Sequence, residues 1–142
     1  MSDVPAHWEL ARDIVEVVRA HDKDITLIAN GDISGLEEGR QKALLAGFDG
    51  IMIGRGIFGN PWLFDQKRKT PPTVEEKLKA LMEHTKLYKK LLGYRNFQNM
   101  KKHFKAYVNG FDNAKELRME LMETNKVEEM VKVTKNFLRG LK

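Results

Sequence analysis

The sequence predicts an α/β unit followed by an all-α unit. Two short apolar runs, residues 25–29 and 51–53, are each followed directly by a polar turn that contains glycine. Residues 36–46, which lie between them, carry apolar side chains at helical spacing. A strand, a helix and a second strand in this order are typical of a parallel α/β fold. From residue 74 onward the apolar spacing is helical throughout.

Two glycine-bearing loops, Asn30-Gly31-Asp32 and Gly54-Arg55-Gly56, leave the carboxyl ends of the predicted strands. Ligands bind at this end of a parallel sheet. Glycine lets the backbone approach an anion closely, and Arg55 adds a planar cation that matches a phosphate. One such loop alone is explained as well by a tight turn with a surface charge. Two such loops in register favour a phosphate site, because the last two loops of a TIM barrel commonly form a phosphate site.

Three segments of this region resemble the tRNA-dihydrouridine synthase family. They are Asn30-Gly31-Asp32-Ile33, Met52-Ile53-Gly54-Arg55-Gly56 and Gly59-Asn60-Pro61-Trp62. Members of this family are FMN-dependent TIM-barrel enzymes with a C-terminal helical domain. The resemblance covers nearly the whole chain but only the C-terminal part of the family. It implies that the phosphate and ribityl end of FMN is held by Asn30, Gly31, Asp32, Gly54 and Arg55.

The resemblance implies a domain organisation that agrees with the sequence pattern. Residues 1–65 are expected to be the last two β/α units of a TIM barrel, and residues 74–142 a C-terminal four-helix bundle that binds tRNA. Residues 66–73 are polar, basic and interrupted by two prolines, so we expect an extended linker there.

The remaining elements follow from local signals. A helix over residues 6–20, capped by Ser2 or Asp3, precedes the first strand. A short helix after Arg55 is expected to carry its apolar side chains inward: Ile57, Phe58, Trp62 and Phe64. Thr73 and Glu76 have the spacing of a capping box. This start predicts a helix over residues 74–92, which is followed by helices over 95–109, 113–124 and 126–139.

Charge is distributed unevenly along the 142 residues, whose net charge is +5. Residues 1–65 carry 6 Lys and Arg against 11 Asp and Glu, whereas residues 66–142 carry 19 against 9. A basic C-terminal half favours a polyanionic partner. No apolar run approaches the roughly 18 residues of a spanning helix, so no membrane partner is expected. The four histidines show no metal-ligand spacing, and the absence of cysteine agrees with a cytoplasmic protein.

The second helix of the C-terminal half carries the candidate RNA contacts. Lys101, Lys102, His103 and Lys105 lie beside an apolar stripe, and from the residues alone a solvated helix face is the favoured explanation. Their pattern, continued by Arg118 in the next helix, resembles the helical domain of the family, which implies contacts with tRNA. The spacing leaves open whether Arg118 binds a phosphate or joins neighbouring helices.

The chemistry is implied by the resemblance alone. Dihydrouridine synthases use NADPH to reduce FMN, which passes a hydride to a uridine of tRNA, while a cysteine supplies the proton. This chain has no cysteine, so no catalytic residue is assigned and we expect the isolated chain, interpreted as a C-terminal fragment, to be inactive. The alternatives are a non-catalytic RNA-binding helical module and another phosphate-binding FMN TIM-barrel enzyme.

Two parallel strands leave one sheet face bare, so we also expect self-association or a loosely held sheet.

Overall fold

The structure, a computed structural model, describes residues 4–93 and 96–141. The chain divides into two compact units, Met1–Ile57 and Phe58–Lys142. The first unit contains, in order, α1 (Ala11–His21), β1 (Ile28–Asn30), α2 (Leu36–Ala46) and β2 (Gly50–Met52), with single 3-10 turns at Trp8–Leu10 and Arg55–Ile57. The second unit contains α3 (Val74–Leu92), α4 (Gln98–Tyr107), α5 (Ala114–Glu123) and α6 (Val127–Gly140). An α/β unit followed by helices is therefore confirmed.

β1 and β2 pair in parallel, and α2 connects them. In their register Ala29 lies opposite Ile51, and Asn30 lies opposite Met52. The pairing confirms the predicted strand–helix–strand order. It also places the two glycine-bearing loops at one edge of the sheet, because both strands end there.

The two strands are displaced from their predicted positions. β1 begins at Ile28 rather than at residue 25, and β2 is Gly50–Met52 rather than 51–53. Side chains satisfy the backbone before β1: Arg19 donates to the Ile25 carbonyl at 2.5 Å, and the Leu27 N–H donates to the Asp49 carboxylate at 2.7 Å. Arg19 and Asp49 are themselves paired at 2.5 Å. The Asp49 N–H also donates to the Leu27 carbonyl at 3.0 Å, so one backbone bond and an ion pair hold this segment.

The predicted helix over residues 6–20 is wrong in its first turn. The chain forms a 3-10 turn at Trp8–Leu10 and becomes α-helical only at Ala11. The Ala6 N–H donates to the Asp32 carboxylate at 2.9 Å, and the Trp8 indole N–H donates to the Gly31 carbonyl at 2.9 Å. These two bonds hold the start of the segment on the loop after β1. The predicted caps Ser2 and Asp3 lie outside the described residues.

The two faces of the small sheet differ in burial. Ala29 is buried, and Gly39 of α2 lies so close to Ile51 that an added Cβ would be 2.0 Å from the Ile51 Cδ1 atom. On the opposite face Ile28 and Met52 are 55% and 56% exposed. The bare face agrees with the expectation from two parallel strands. Self-association through it stays a prediction, which light scattering on the purified chain would test.

The core of the second unit is formed by all four helices. α3 contacts α4 and α6, and α5 contacts the same two helices. Among the described residues of this unit, eight apolar side chains are fully buried: Leu78, Leu81, Met100, Phe104, Val108, Leu117, Leu121 and Met130. The helix over 74–92 is as predicted, and α5 and α6 agree within one residue. α4 ends at Tyr107, where Val108 leaves the helical region; its predicted start at residue 95 lies outside the described residues.

The segment after Arg55 differs from the prediction. It forms one 3-10 turn and then further turns, in which the Leu63 N–H donates to the Asn60 carbonyl at 3.2 Å. Ile57, Phe58 and Phe64 are exposed, so the expected inward placement is wrong for these three. Gly59, at a φ of 75°, lies against α4, and an added Cβ would be 1.9 Å from the Ala106 carbonyl oxygen. This close approach requires glycine.

α3 begins with the predicted capping box. The Glu76 N–H donates to the Thr73 hydroxyl at 3.2 Å, and the Glu76 carboxylate accepts the Thr73 N–H at 2.8 Å. Arg68, from the segment before the helix, donates to the same carboxylate at 2.7 Å. The Arg68 guanidinium, followed by the Thr73 N–H, lowers the pKa of Glu76 from 4.5 to about 2. The ionised carboxylate therefore joins the linker to the first turn of α3.

We expect Glu76→Gln to lower the melting temperature near neutral pH and to have little effect near pH 2. A carboxylate whose pKa falls on folding contributes stability above its unfolded value, and this contribution disappears as pH falls from 4.5 to about 2. Melting curves followed by circular dichroism at several pH values test this. Glu83→Gln is the control, since Glu83 is exposed on the same helix. An equal effect of both variants at every pH would contradict the assignment.

Candidate functional site

The five residues predicted to hold a phosphate line one cavity in the first unit. Asn30, Gly31, Asp32, Gly54 and Arg55 surround about 280 Å³ together with Val4, Ala6, Ile33 and Met52. They come together because β1 and β2 run in parallel and both loops leave the same edge. The Asn30 amide also donates to the Met52 carbonyl at 3.3 Å, which joins the two strand ends directly.

Arg55 and Asp32 form an ion pair across the two loops. The second carboxylate oxygen of Asp32 accepts the Ala6 N–H at 2.9 Å, so both oxygens have partners within the chain. Asp32 has a φ of 43°, a left-handed conformation that Asp tolerates better than most residues. This carboxylate thus positions the guanidinium of Arg55. An arginine has five N–H donors, so those not used by Asp32 can still bind an anion.

Two glycines beside the cavity are constrained by close neighbours. Gly31 has a φ of 150°, and an added Cβ would lie 2.7 Å from the Ala6 Cβ. A Cβ on Gly56 would lie 2.8 Å from the Ile33 carbonyl oxygen, whereas Gly54 has nothing within 4 Å. Gly31 and Gly56 thus let the loops pack against Ala6 and Ile33, while Gly54 leaves open space beside Arg55, the cation that suits a phosphate.

Ala6 and Trp8 belong to this site although the sequence did not predict their role. Ala6 acts through its backbone N–H, which no side-chain pattern reveals. The Trp8 ring packs at 6.3 Å from the Phe48 ring. Its indole N–H also bonds the Gly31 carbonyl. Both residues fix the loop on which Asn30 and Asp32 lie.

Four of the five predicted RNA-contacting residues line one groove in the second unit. Lys101, Lys102 and Lys105 of α4 face Arg118 of α5, and Lys115 of α5 adds a fifth cation. The groove encloses about 780 Å³ and is completed by Gln98, Phe104, Met119, Met122 and Glu123. Lys115 was missed in the sequence because only Arg118 of α5 belonged to the pattern. This groove, named here the α4–α5 groove, is the candidate nucleic-acid interface.

Two of these cations also hold the helices together. Arg118 donates to the Val108 carbonyl at the end of α4 at 2.7 Å. Lys101 donates to the Met122 carbonyl near the end of α5 at 2.5 Å. The structure thus shows that Arg118 joins neighbouring helices, one of the two alternatives left open by the spacing. Its further donors remain compatible with a phosphate contact.

His103 lies apart from the groove. Its ring is 4.9 Å from the His84 ring and 5.7 Å from the Phe58 ring. The His84 Nδ1 atom lies 3.3 Å from the Tyr107 hydroxyl. Burial lowers the pKa of His103 from its ordinary value of 6.5, and the charges of His84 and Lys102 lower it further. This environment favours the neutral form, so a role of His103 as a phosphate-binding cation stays a prediction that the geometry does not support.

The described part of the chain shows neither a metal-binding cluster nor a membrane-spanning helix. Within 4–93 and 96–141, no three His, Asp or Glu side chains are grouped so that they could hold a metal ion. Over the same ranges, none of the helices has the length and apolar character that crossing a membrane requires.

Comparison with known proteins identifies the family. The sequence model of the family described as "Dihydrouridine synthase (Dus)" matches residues 2–141. The chain is 40% identical over 131 residues to the "Probable tRNA-dihydrouridine synthase" of Staphylococcus aureus (strain MRSA252), and this match covers 91% of the chain and 40% of the relative. It is 37% identical over 141 residues to the "Probable tRNA-dihydrouridine synthase 2" of Bacillus subtilis (strain 168). This match covers 98% of the chain and 43% of the relative. The chain thus spans less than half the length of these relatives, and it belongs to the dihydrouridine synthase family.

Proposed function

We propose that this chain provides the FMN phosphate loops and the tRNA-binding helices of a tRNA-dihydrouridine synthase. In this proposal its first unit corresponds to the last two β/α units of a TIM barrel, and its helices to the C-terminal four-helix bundle. The observation that carries the proposal is the single cavity surrounded by Asn30, Gly31, Asp32, Gly54 and Arg55. Relatives named as tRNA-dihydrouridine synthases support the substrate class.

The residues around this cavity fit the phosphate of FMN. Arg55 is held in place by Asp32 and keeps donors for an anion, while Gly54, which lines the same cavity, has open space where a side chain would stand. Bound FMN would supply hydride transfer from NADPH to the uridine base. The chain's own contribution is to bind the phosphate end and to fix its distance from the sheet edge.

We expect the chain to bind FMN more tightly than riboflavin, which lacks the phosphate. Arg55→Ala should remove most of this difference, roughly tenfold or more, because a hydrogen bond to a charged group contributes about 1.5–3 kcal/mol. Quenching of flavin fluorescence on titration with the chain measures both ligands.

Arg40→Ala is the control for this experiment, since Arg40 is exposed on α2 and carries the same charge. If wild type binds riboflavin as tightly as FMN, or if Arg40→Ala acts like Arg55→Ala, the phosphate assignment is wrong.

The α4–α5 groove is proposed to bind tRNA through its phosphates. We expect a triple variant to lose its binding of unmodified tRNA. In this variant three lysines are changed to Glu: Lys101, Lys102 and Lys105. Wild-type affinity should fall steeply with salt, because each phosphate contact releases counterions. A filter-binding or anisotropy titration at several salt concentrations measures both properties.

The matched control changes three exposed lysines elsewhere in the second unit, namely Lys86, Lys132 and Lys135. It alters the net charge equally, so it separates a local contact from a general effect of charge. Salt-independent binding, or equal loss in both triple variants, would contradict the proposed face.

We expect no dihydrouridine formation by the isolated chain. In the family a cysteine supplies the proton, and these 142 residues contain none. The chain is incubated with FMN, NADPH and unmodified tRNA, and dihydrouridine is measured against a reaction without protein. Product above this background would overturn the proposed dependence on a cysteine outside this chain.

A second candidate function is a non-catalytic RNA-binding module made by the helices. The observation in its favour is that all five groove cations belong to α4 and α5 alone. Full tRNA affinity in a chain with no measurable preference for FMN over riboflavin would favour this module. A phosphate-dependent preference for FMN favours the enzyme component.

A further inference from the structure

The α4–α5 groove has an apolar floor as well as a basic rim. Met119 and Met122 of α5 line it and are 63% and 48% exposed. Phe104 of α4 lies beneath them and is fully buried. Exposed methionines next to a packed core are a flexible, polarisable surface that adapts to different partners. A ligand that contacted the groove through phosphates alone would make no use of these two apolar side chains.

The positive charge of the rim favours a polyanionic ligand. Of the described residues that line the groove, five are cations and one, Glu123, is a carboxylate. Lys102 and Lys105 are exposed, and Lys101 keeps two ammonium protons beyond the one it donates to the Met122 carbonyl. The cations flank the methionines from both helices. A ligand that satisfies the whole groove therefore has an apolar face with anionic groups beside it.

We propose that this groove binds an unpaired nucleotide of an RNA, with the base on Met119 and Met122 and the adjoining phosphates on the lysines. In a duplex the bases are stacked inside, so only phosphates and sugars would reach the floor. An unpaired base offers a flat, weakly polar face. Single-stranded RNA is generally bound by stacking such faces on side chains, most often aromatic ones, beside cations; here the two methionines would take the place of the aromatic rings. A volume of about 780 Å³ lies within the usual range of small-ligand sites. The inference rests on the proposed tRNA binding and deepens it.

The test uses the full 142-residue chain and two labelled RNAs with equal numbers of phosphates, one single-stranded and one a duplex. Fluorescence anisotropy at low salt should show tighter binding of the single strand. The double variant Met119→Ser, Met122→Ser should weaken single-strand binding by up to about fivefold, the lower limit for one base stacked on an aromatic ring, and leave duplex binding nearly unchanged. Both methionines are largely exposed, so circular dichroism should show an unchanged fold.

Leu87→Ser with Leu91→Ser is the control, since both leucines are exposed on α3 and the change removes similar apolar surface. Competition with polyglutamate distinguishes an RNA from an acidic peptide. Equal competition by polyglutamate at matched charge would mean that the groove recognises charge alone and would overturn the proposal. Equal binding of the two RNAs by wild type, or a double methionine variant that keeps its preference, would also overturn it.

The outcomes separate this inference from the proposed tRNA binding. If the triple lysine variant loses tRNA while the methionine variant keeps its single-strand preference, only the base contact is wrong. If the triple lysine variant keeps tRNA, the proposed interface itself is wrong and the base contact fails with it.

Discussion

The parallel pairing of β1 with β2 is the constraint on which the first unit depends. Parallel strands must be joined by a crossover, and α2 provides it. Since both strands then end at one edge, the loops that contain Asp32 and Arg55 lie close enough to form an ion pair. A single-residue change of register would turn the side chains of one strand to the opposite face. The cavity is thus a consequence of strand direction and register rather than of the loop residues alone.

A sheet of two three-residue strands provides few backbone hydrogen bonds, and side chains supplement them. Arg19 and Asp49 satisfy the backbone before β1, and Asp32 accepts the Ala6 N–H after it. Each of these side chains connects segments that are distant in sequence. Such bonds to charged groups are stronger than neutral ones. They fix the two ends of β1, and the end that carries Asp32 belongs to the candidate phosphate site.

Local patterns predicted the helices well and the strands less well. The limits of α2 and α3 agree with the sequence, because apolar spacing and the Thr73–Glu76 capping box mark them directly. The strands were displaced because Arg19 and Asp49 compete for the backbone over a distance of 30 residues. The exposed Phe58 and Phe64 show a related limit: apolar character predicts burial, but the turns after Arg55 determine where these rings point. Glycine and arginine at the strand ends indicated the two loops, and the resemblance to the family indicated the five residues that line one cavity; phosphate binding by them stays a prediction.

The candidate RNA interface depends on two helices, and the sequence indicated only Arg118 on the second of them. A helix of ten residues has a buried side and two flanks, and spacing alone does not say which flank its neighbours cover. On α4, Phe104 points into the core and His103 lies beside His84, whereas Lys102 and Lys105 line the groove. α5 completes that groove with its own cations and its methionines. The bonds from Arg118 to Val108 and from Lys101 to Met122 hold the two helices at this spacing. Recognition of a polyanion here therefore requires the packed pair, because α4 alone would present charge without the apolar floor between the helices.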